Sequence, residues 1–236
     1  MSSADPNLLL LDSVSVALGP LSDRFVFVGG CATGLLITDA ASAPVRATQD
    51  VDVIVEVLTL QEYHSLEHSL ERLGFKHDQS PEAPVCRWTI GGIILDVMPT
   101  DHNILGFGNR WYTEAIRTAT CARLPSGKVI QLIGPPAFIG TKLEAFDGRG
   151  RGDFLSSHDL EDIITVVDGR AELPDEVAAA PRMLCDYIAR RMGLLLENSD
   201  FVEALPGHLP PDAASQTRLP IIIDRLRQIS ARYGHR

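Results

Sequence analysis

Apolar residues recur at two different periods along this chain, and the change of period divides it near residue 134. In the first part short apolar runs alternate with helically spaced ones. Residues 8–18, beginning Leu8-Leu9-Leu10-Leu11, read as a helix, Phe25-Val26-Phe27-Val28 as a strand, 30–39 as a helix and 51–57 as a second strand. Leu60, Tyr63, Leu66, Leu70 and Leu73 recur at helical spacing and stop at Gly74, the residue type expected just past a helix end. Two further strands, 85–90 and 93–98, flank Gly91-Gly92, a two-residue hairpin signal. Shorter strands at 121–124 and 129–133 are joined by Pro125-Ser126-Gly127-Lys128. From Pro135-Pro136 onward the spacing is helical, since proline suits a helix's first turn. Helices are predicted from there, over 158–167, in one or two pieces over 175–204, and over 219–233, with a linker at 206–211. The pattern predicts an α/β (α+β) fold, a small mixed sheet flanked by helices over 1–134 followed by a helical region over 135–236, with no internal repeat.

Acidic residues interrupt the strands in a way that changes this picture. Asp50-Val51-Asp52 runs directly into Val53-Ile54-Val55, and alternation along a strand places both carboxylates on one face. Their mutual repulsion favours a bound divalent cation, so Asp50 and Asp52 are candidate Mg²⁺ ligands. Asp96 closes a similar run, Ile93-Ile94-Leu95-Asp96-Val97. Three carboxylates on neighbouring strands suit a clamp for two Mg²⁺ (or Mn²⁺) ions roughly 3.5–4 Å apart, an arrangement used in phosphoryl transfer. Acids preceding a strand are common, but Asp inside a strand is disfavoured, and its recurrence at Asp96 strengthens the metal reading. Gly29-Gly30 follows the first strand, where backbone freedom serves a tight turn and a close phosphate approach equally.

The helical region offers a second group. With Ile139, Leu143 and Phe146 on one face, Lys142 falls at the rim, where its stem can lie on the core and its ammonium reach a phosphate; a snorkelling surface lysine fits the same position. Asp147 to Gly152 reads as a mobile loop whose Arg149 and Arg151 suit a triphosphate or plain solvent. In 158–167 the stripe is Leu160, Ile163, Ile164 and Val167. Asp159 then falls roughly 90° from its centre, His158 about 170° and Asp162 about 150°, so Asp159 lies at the rim and the other two face water. His158-Asp159 also fits an HD-type phosphohydrolase, but that chemistry needs further histidine ligands and leaves the strand-borne acids unexplained.

Composition narrows the classes. The chain has 236 residues, 45% hydrophobic and 22% charged, enough for a sizeable core. Its net charge of −10 argues against a broad nucleic-acid-coating surface. The exception is the C-terminal stretch, where Arg218, Arg225, Arg227, Arg232 and Arg236 stand against Asp224; this is a solvated helix face or a dock for an RNA end. Cys31, Cys86, Cys121 and Cys185 have no metal-binding spacing and read as reduced, mostly buried thiols. The leucine run is too short to cross a bilayer and the N-terminus lacks a basic start, so a cytoplasmic protein without a membrane partner is expected. Trp88 and Trp111 read as core, and His64, His68 and His77 as surface.

A strand, Gly29-Gly30, a short helix and Asp50-x-Asp52 on the next strand resemble the DNA polymerase β-like nucleotidyltransferase superfamily. Within it, Arg46-Ala47-Thr48-Gln49-Asp50-Val51-Asp52 looks like the AbiEii/AbiGii toxin-type branch, where Arg-x-Thr precedes the acidic pair. Lys142-Leu143-Glu144-Ala145-Phe146, then Arg149, Asp153 and Asp159, is similar to that branch's lysine motif and closing acidic helix. The resemblance spans residues 25 to 162 and lies in the order of its motifs. It implies NTP as substrate, with Gly29, Gly30 and Cys31 at the nucleotide, Asp50, Asp52 and Asp96 at metal, and Lys142 and Arg149 at phosphate. Asp159 would complete the site. It further implies transfer of an NMP to a hydroxyl of RNA, such as a tRNA 3′ end, or of a protein, and a toxin-like role with a cognate antitoxin. Two features depart from the pattern: Asp50 stands twenty positions after Gly30, and Cys31 stands where a Ser or another small residue is common. A catalytically silent nucleotide- or partner-binding module is the rival, which Mg²⁺·NTP binding without turnover would select.

Overall fold

The computed structural model describes residues 5–150 and 152–233. They divide into two compact units, one formed by Asp5–Gly34 and Arg46–Gly134, the other by Leu35–Val45 and Pro135 onward.

The first unit is built on a seven-stranded mixed sheet. Helix α1 (Leu8–Leu18) and a 3₁₀ turn (Gly19–Arg24) lead into β1 (Phe25–Val28), and a second 3₁₀ segment spans Gly30–Leu36. Then come β2 (Asp50–Val55), α2 (Leu60–Arg72), β3 (Lys76–His77), β4 (Arg87–Ile90) and β5 (Ile93–Pro99). Short helices α3 (His102–Leu105) and α4 (Tyr112–Arg117) precede β6 (Thr120–Arg123) and β7 (Val129–Leu132). The strand order is β3-β4-β5-β2-β1-β7-β6. β2 lies antiparallel to β1 and parallel to β5, so the central strands are apolar nearly throughout and buried. Gly91 (φ 55°) and Gly92 (φ 85°) form the β4–β5 turn, and both need the left-handed backbone of a type I′ hairpin. Thr59 and Glu62 close a reciprocal capping box at the start of α2.

The predicted helix over 30–39 is instead a 3₁₀ segment ending at Leu36. Its Gly34 faces Asp5 so closely that an added Cβ would meet Asp5 Oδ2 at 2.0 Å, and Gly30 and Gly34 weaken α-helical propensity over so short a run.

The second unit is helical: α5 (Pro135–Arg149), α6 (His158–Gly169), α7 (Leu173–Ala179), α8 (Arg182–Glu197), α9 (Ser199–Ala204), a 3₁₀ turn (Leu205–His208), α10 (Ala213–Gln216) and α11 (Leu219–Ser230). α5 packs against α6, α7 and α8, and is buried from Ala137 through Leu143 on every side. It runs on through Gly148, so the loop expected at 147–152 is helical as far as Arg149. Asp147 ion-paired to Arg191 of α8, and Arg149 paired to Asp159 of α6, hold that last turn. Arg151 and Arg236 lie outside the described residues.

Candidate functional site

Strand register assembles one acidic group in the sheet unit. Asp52 on β2 is the Cα partner of Val28 on β1 and of Asp96 on β5. Asp50 and Asp52, two apart, share a face, and both are half-buried while Val51 and Val53 between and after them are buried. Gly29 follows Val28 with φ 71°, and a Cβ there would sit 1.9 Å from Asp52 Oδ2. The Gly-Gly turn is thus pressed against the second acid, and only glycine fits. Cys31 is fully buried and its thiol donates to Val28 O at 3.3 Å, so the side chain at this departure from the family pattern is turned into the core.

The start of β2 is clamped by a residue with no motif to announce it. Asn7, 1% exposed, donates from Nδ2 to Arg46 O at 2.9 Å, and its Oδ1 accepts from Thr48 N at 2.9 Å. Thr48 Oγ1 in turn donates to Asp50 O at 3.2 Å. The Arg-x-Thr segment therefore fixes the backbone on which Asp50 stands.

A second unannounced residue is Arg87. From β4 it stands opposite Asp96 and donates from Nε to Oδ1 at 2.8 Å and from Nη2 to Oδ2 at 2.7 Å. The same Nη2 reaches Asp50 Oδ2 at 3.1 Å. The hydrogen bonds that Arg87 donates to Asp96 hold this guanidinium's pKa above even its ordinary value. Asp96 is 6% exposed, and next to it burial pushes the Cys86 thiol up to about 12, with the Asp96 and Asp52 charges adding to the effect. Among the described residues no three His, Cys, Asp or Glu side chains stand converged on one metal position. The expected open triad is instead an arginine-bridged pair, Asp50 and Asp96, with Asp52 against the glycine turn. In kind the donors fit Mg²⁺, a hard cation that takes carboxylate oxygens. The hairpin carried the signal for Arg87: a two-residue turn at 91–92 pairs 90 with 93 and hence 87 with 96.

In the helical unit Lys142 is not at a rim. It is buried, with Nζ 3.2 Å from Asp159 Oδ1 and 5.8 Å from the centroid of Phe138. Nζ also lies 2.7 Å from Asp162 Oδ2, a second ion pair. Asp162, expected to face water, is 3% exposed, and Asp159 is 4% exposed. The single-stripe phase failed because α6 also buries Val166, Asp168 and Gly169, a much wider arc. Cations on both sides make that arc tolerable: Lys142 from α5, and Arg218 of the segment before α11, which donates from Nε to both Asp168 oxygens at 2.7 and 2.9 Å. His158 is exposed, as expected, and bonded to Glu161. Arg149, 72% exposed at the end of α5, forks onto Asp159 at 2.9 and 2.8 Å. Burial opposes ionisation of Asp159, but the Arg149 hydrogen bonds and the Lys142 charge outweigh it and hold the carboxyl below its usual range.

Three of the C-terminal arginines, Arg218, Arg225 and Arg232, are engaged within their own unit. Arg218 also reaches Asp39 at 2.6 Å, Arg225 donates to Val167 O at 2.8 Å, and Arg232 pairs with Asp175 at 3.1 Å. Trp88 and Trp111 are buried, and Cys121 alone among the four thiols is exposed. No described helix is long and apolar enough to cross a membrane.

No family model matches the chain, and no curated protein does. Among solved structures, the antibiotic-resistance factor ANT(2'')-Ia, determined in solution, is similar at 19% sequence identity and a TM-score of 0.40, over 76% of this chain and 96% of that chain.

Proposed function

We propose that the protein is a nucleotidyltransferase that moves an NMP from an NTP to a hydroxyl acceptor and releases pyrophosphate. The observation that carries this reading is the register of β1, β2 and β5, which brings Gly29, the Asp50/Asp52 face and Asp96 together. Asp50, Asp52 and Asp96 would hold Mg²⁺ (or Mn²⁺), which when bound neutralises the triphosphate and polarises the α-phosphate. The acceptor hydroxyl attacks the α-phosphorus and the bond to the β-phosphate oxygen breaks; Asp96 would either hold the second ion or take the hydroxyl proton. Gly29, Gly30 and Cys31 offer backbone to the nucleotide, the Cys31 side chain being turned away. In the helical unit Arg149 is the exposed cation suited to phosphate, and Lys142 and Asp159 fix its fork.

The order of the sequence motifs supports a finer version: an acceptor hydroxyl on RNA, such as a tRNA 3′ end, or on a protein, in a toxin-like setting with a cognate antitoxin. A second reading has its own observation, the Arg87 bridge across Asp50 and Asp96. It makes the chain a silent module that binds NTP without turnover. Incubation with each labelled NTP, Mg²⁺, and total RNA or lysate protein separates the two. Label on RNA or protein supports transfer, and NTP binding without label on either selects the silent module.

A further inference from the structure

Arg87 makes a choice of partner that neutralising Asp96 alone does not require. A cation opposite one buried acid would satisfy it by a two-point fork, as Arg87 does with Nε and Nη2. Yet Nη2 also spans past β5, the strand between β4 and β2, to Asp50 Oδ2. The guanidinium is shared by the two acids that flank Asp52 in the assembled sheet, one on its own strand and one on the next. One positive charge thereby offsets two of the three carboxylates that the proposed function assigns to metal.

We propose that Arg87 is a positioning residue that competes with a divalent cation for Asp50 and Asp96, and so sets how strongly the site takes metal. The inference rests on the nucleotidyltransferase reading of these acids. Arg87 stabilises the metal-free sheet by removing carboxylate repulsion, and must yield Asp50, Asp96 or both when a cation is taken up. A guanidinium is always charged, so the reach of its planar fork to both acids sets its side of the competition. Substituting Lys keeps the charge but not the planar fork that engages both acids at once.

The test is Mn²⁺ binding by the whole protein without nucleotide, followed by the electron paramagnetic resonance signal of free Mn²⁺, with thermal unfolding in metal-free buffer alongside. Arg87→Gln should bind Mn²⁺ about tenfold tighter or more, because a unit charge a few ångströms from the site is removed. It should also unfold at a lower temperature without metal, and Arg87→Lys should fall between it and the wild type. Unchanged or weaker Mn²⁺ binding in Arg87→Gln overturns the competition. If Arg87→Gln does not fold, Arg87→Lys decides in the same way by the sign of its change. Asp52→Asn distinguishes this failure from failure of the site. Mn²⁺ uptake lost in Asp52→Asn but equal in wild type and Arg87→Gln overturns only the role of Arg87, whereas uptake indifferent to Asp52→Asn overturns the metal site.

Discussion

Gly29 is the residue at which backbone geometry and site chemistry meet. Its φ of 71° and the 1.9 Å approach of Asp52 Oδ2 to any added Cβ mean that Gly29→Ala must both strain the turn and displace the acid. The strain costs about 1–3 kcal/mol, and nucleotidyl transfer should be lost. Gly91→Ala is the control: φ is also positive but the space around it is open, so only stability should change, by about 1–2 kcal/mol, with transfer retained. Parallel denaturation and labelling assays check both. The buried cluster gives a second prediction. Lys142→Ala leaves Asp159 and Asp162 buried with their common cation gone, and should cost about 3–5 kcal/mol in chemical denaturation. Asp162 therefore matters to stability, contrary to the expectation that it faces water. Because the Asp159 carboxyl is held below its usual value, its stabilisation is fully present above about pH 4 and is lost as pH falls through the lower folded-state value. Wild-type stability should therefore drop more steeply below about pH 4 than that of Asp159→Asn, as denaturation midpoints across that window will show. The strand-borne acids Asp50, Asp52 and Asp96 stood out in the sequence because Asp is rare within strands, whereas the burial of Asp162 and the cations of both clusters did not. Lys142 lies in an apolar segment buried on all sides, where a one-face helical wheel gives no rim, and Arg87 shows itself only once the hairpin register is counted.

At the level of elements, most strands and helices could be read from period and turn residues, since α1, β1, α2 and the β4–β5 hairpin each have one buried face or a glycine signal. The short elements β3, α3 and α4 were not read at all, and two predicted segments came out differently for physical reasons. Residues 30–39 read as a helix by pattern, but Gly30, Gly34 and the contact with Asp5 leave a 3₁₀ segment to Leu36. Residues 147–149 read as a loop by composition, but ion pairs to α8 and α6 carry α5 through them. The start of β2 supplies a prediction at this scale. Asn7→Ala removes the bonds to Arg46 O and Thr48 N and leaves those groups without that partner, at about 1–3 kcal/mol. Amide exchange over 46–50 should rise, and transfer should fall through mispositioned Asp50. An exchange pattern unchanged there would show that the segment is held by its other contacts.

For the molecule as a whole, the division into a sheet unit and a helical unit is not a simple cut in the sequence. Residues 35–45 come early in the chain yet belong to the helical unit. There Thr38 N and Asp39 N both donate to Gly169 O at 2.9 Å, Arg170 donates to Leu36 O at 2.7 Å, and Arg218 bridges Asp39 and Asp168. Periodicity could not show this, because beyond Leu36 the segment has no regular structure and is held by partners more than a hundred residues away. Arg218→Ala should destabilise the helical unit and speed amide exchange at 38 and 39 while leaving exchange in β1, β2 and β5 unchanged. A net charge of −10 argues against a broad phosphate-coating surface. We propose that the Asp50/Asp52 face is the catalytic centre of a nucleotidyl transfer. Its most direct test is the transfer of label from α-labelled NTP to RNA or protein by the wild type and by Asp50→Asn and Asp52→Asn, with the melting temperature of each recorded. The wild type should label RNA or protein and neither variant should, both remaining folded. Undiminished labelling by a folded Asp50→Asn or Asp52→Asn protein would contradict it.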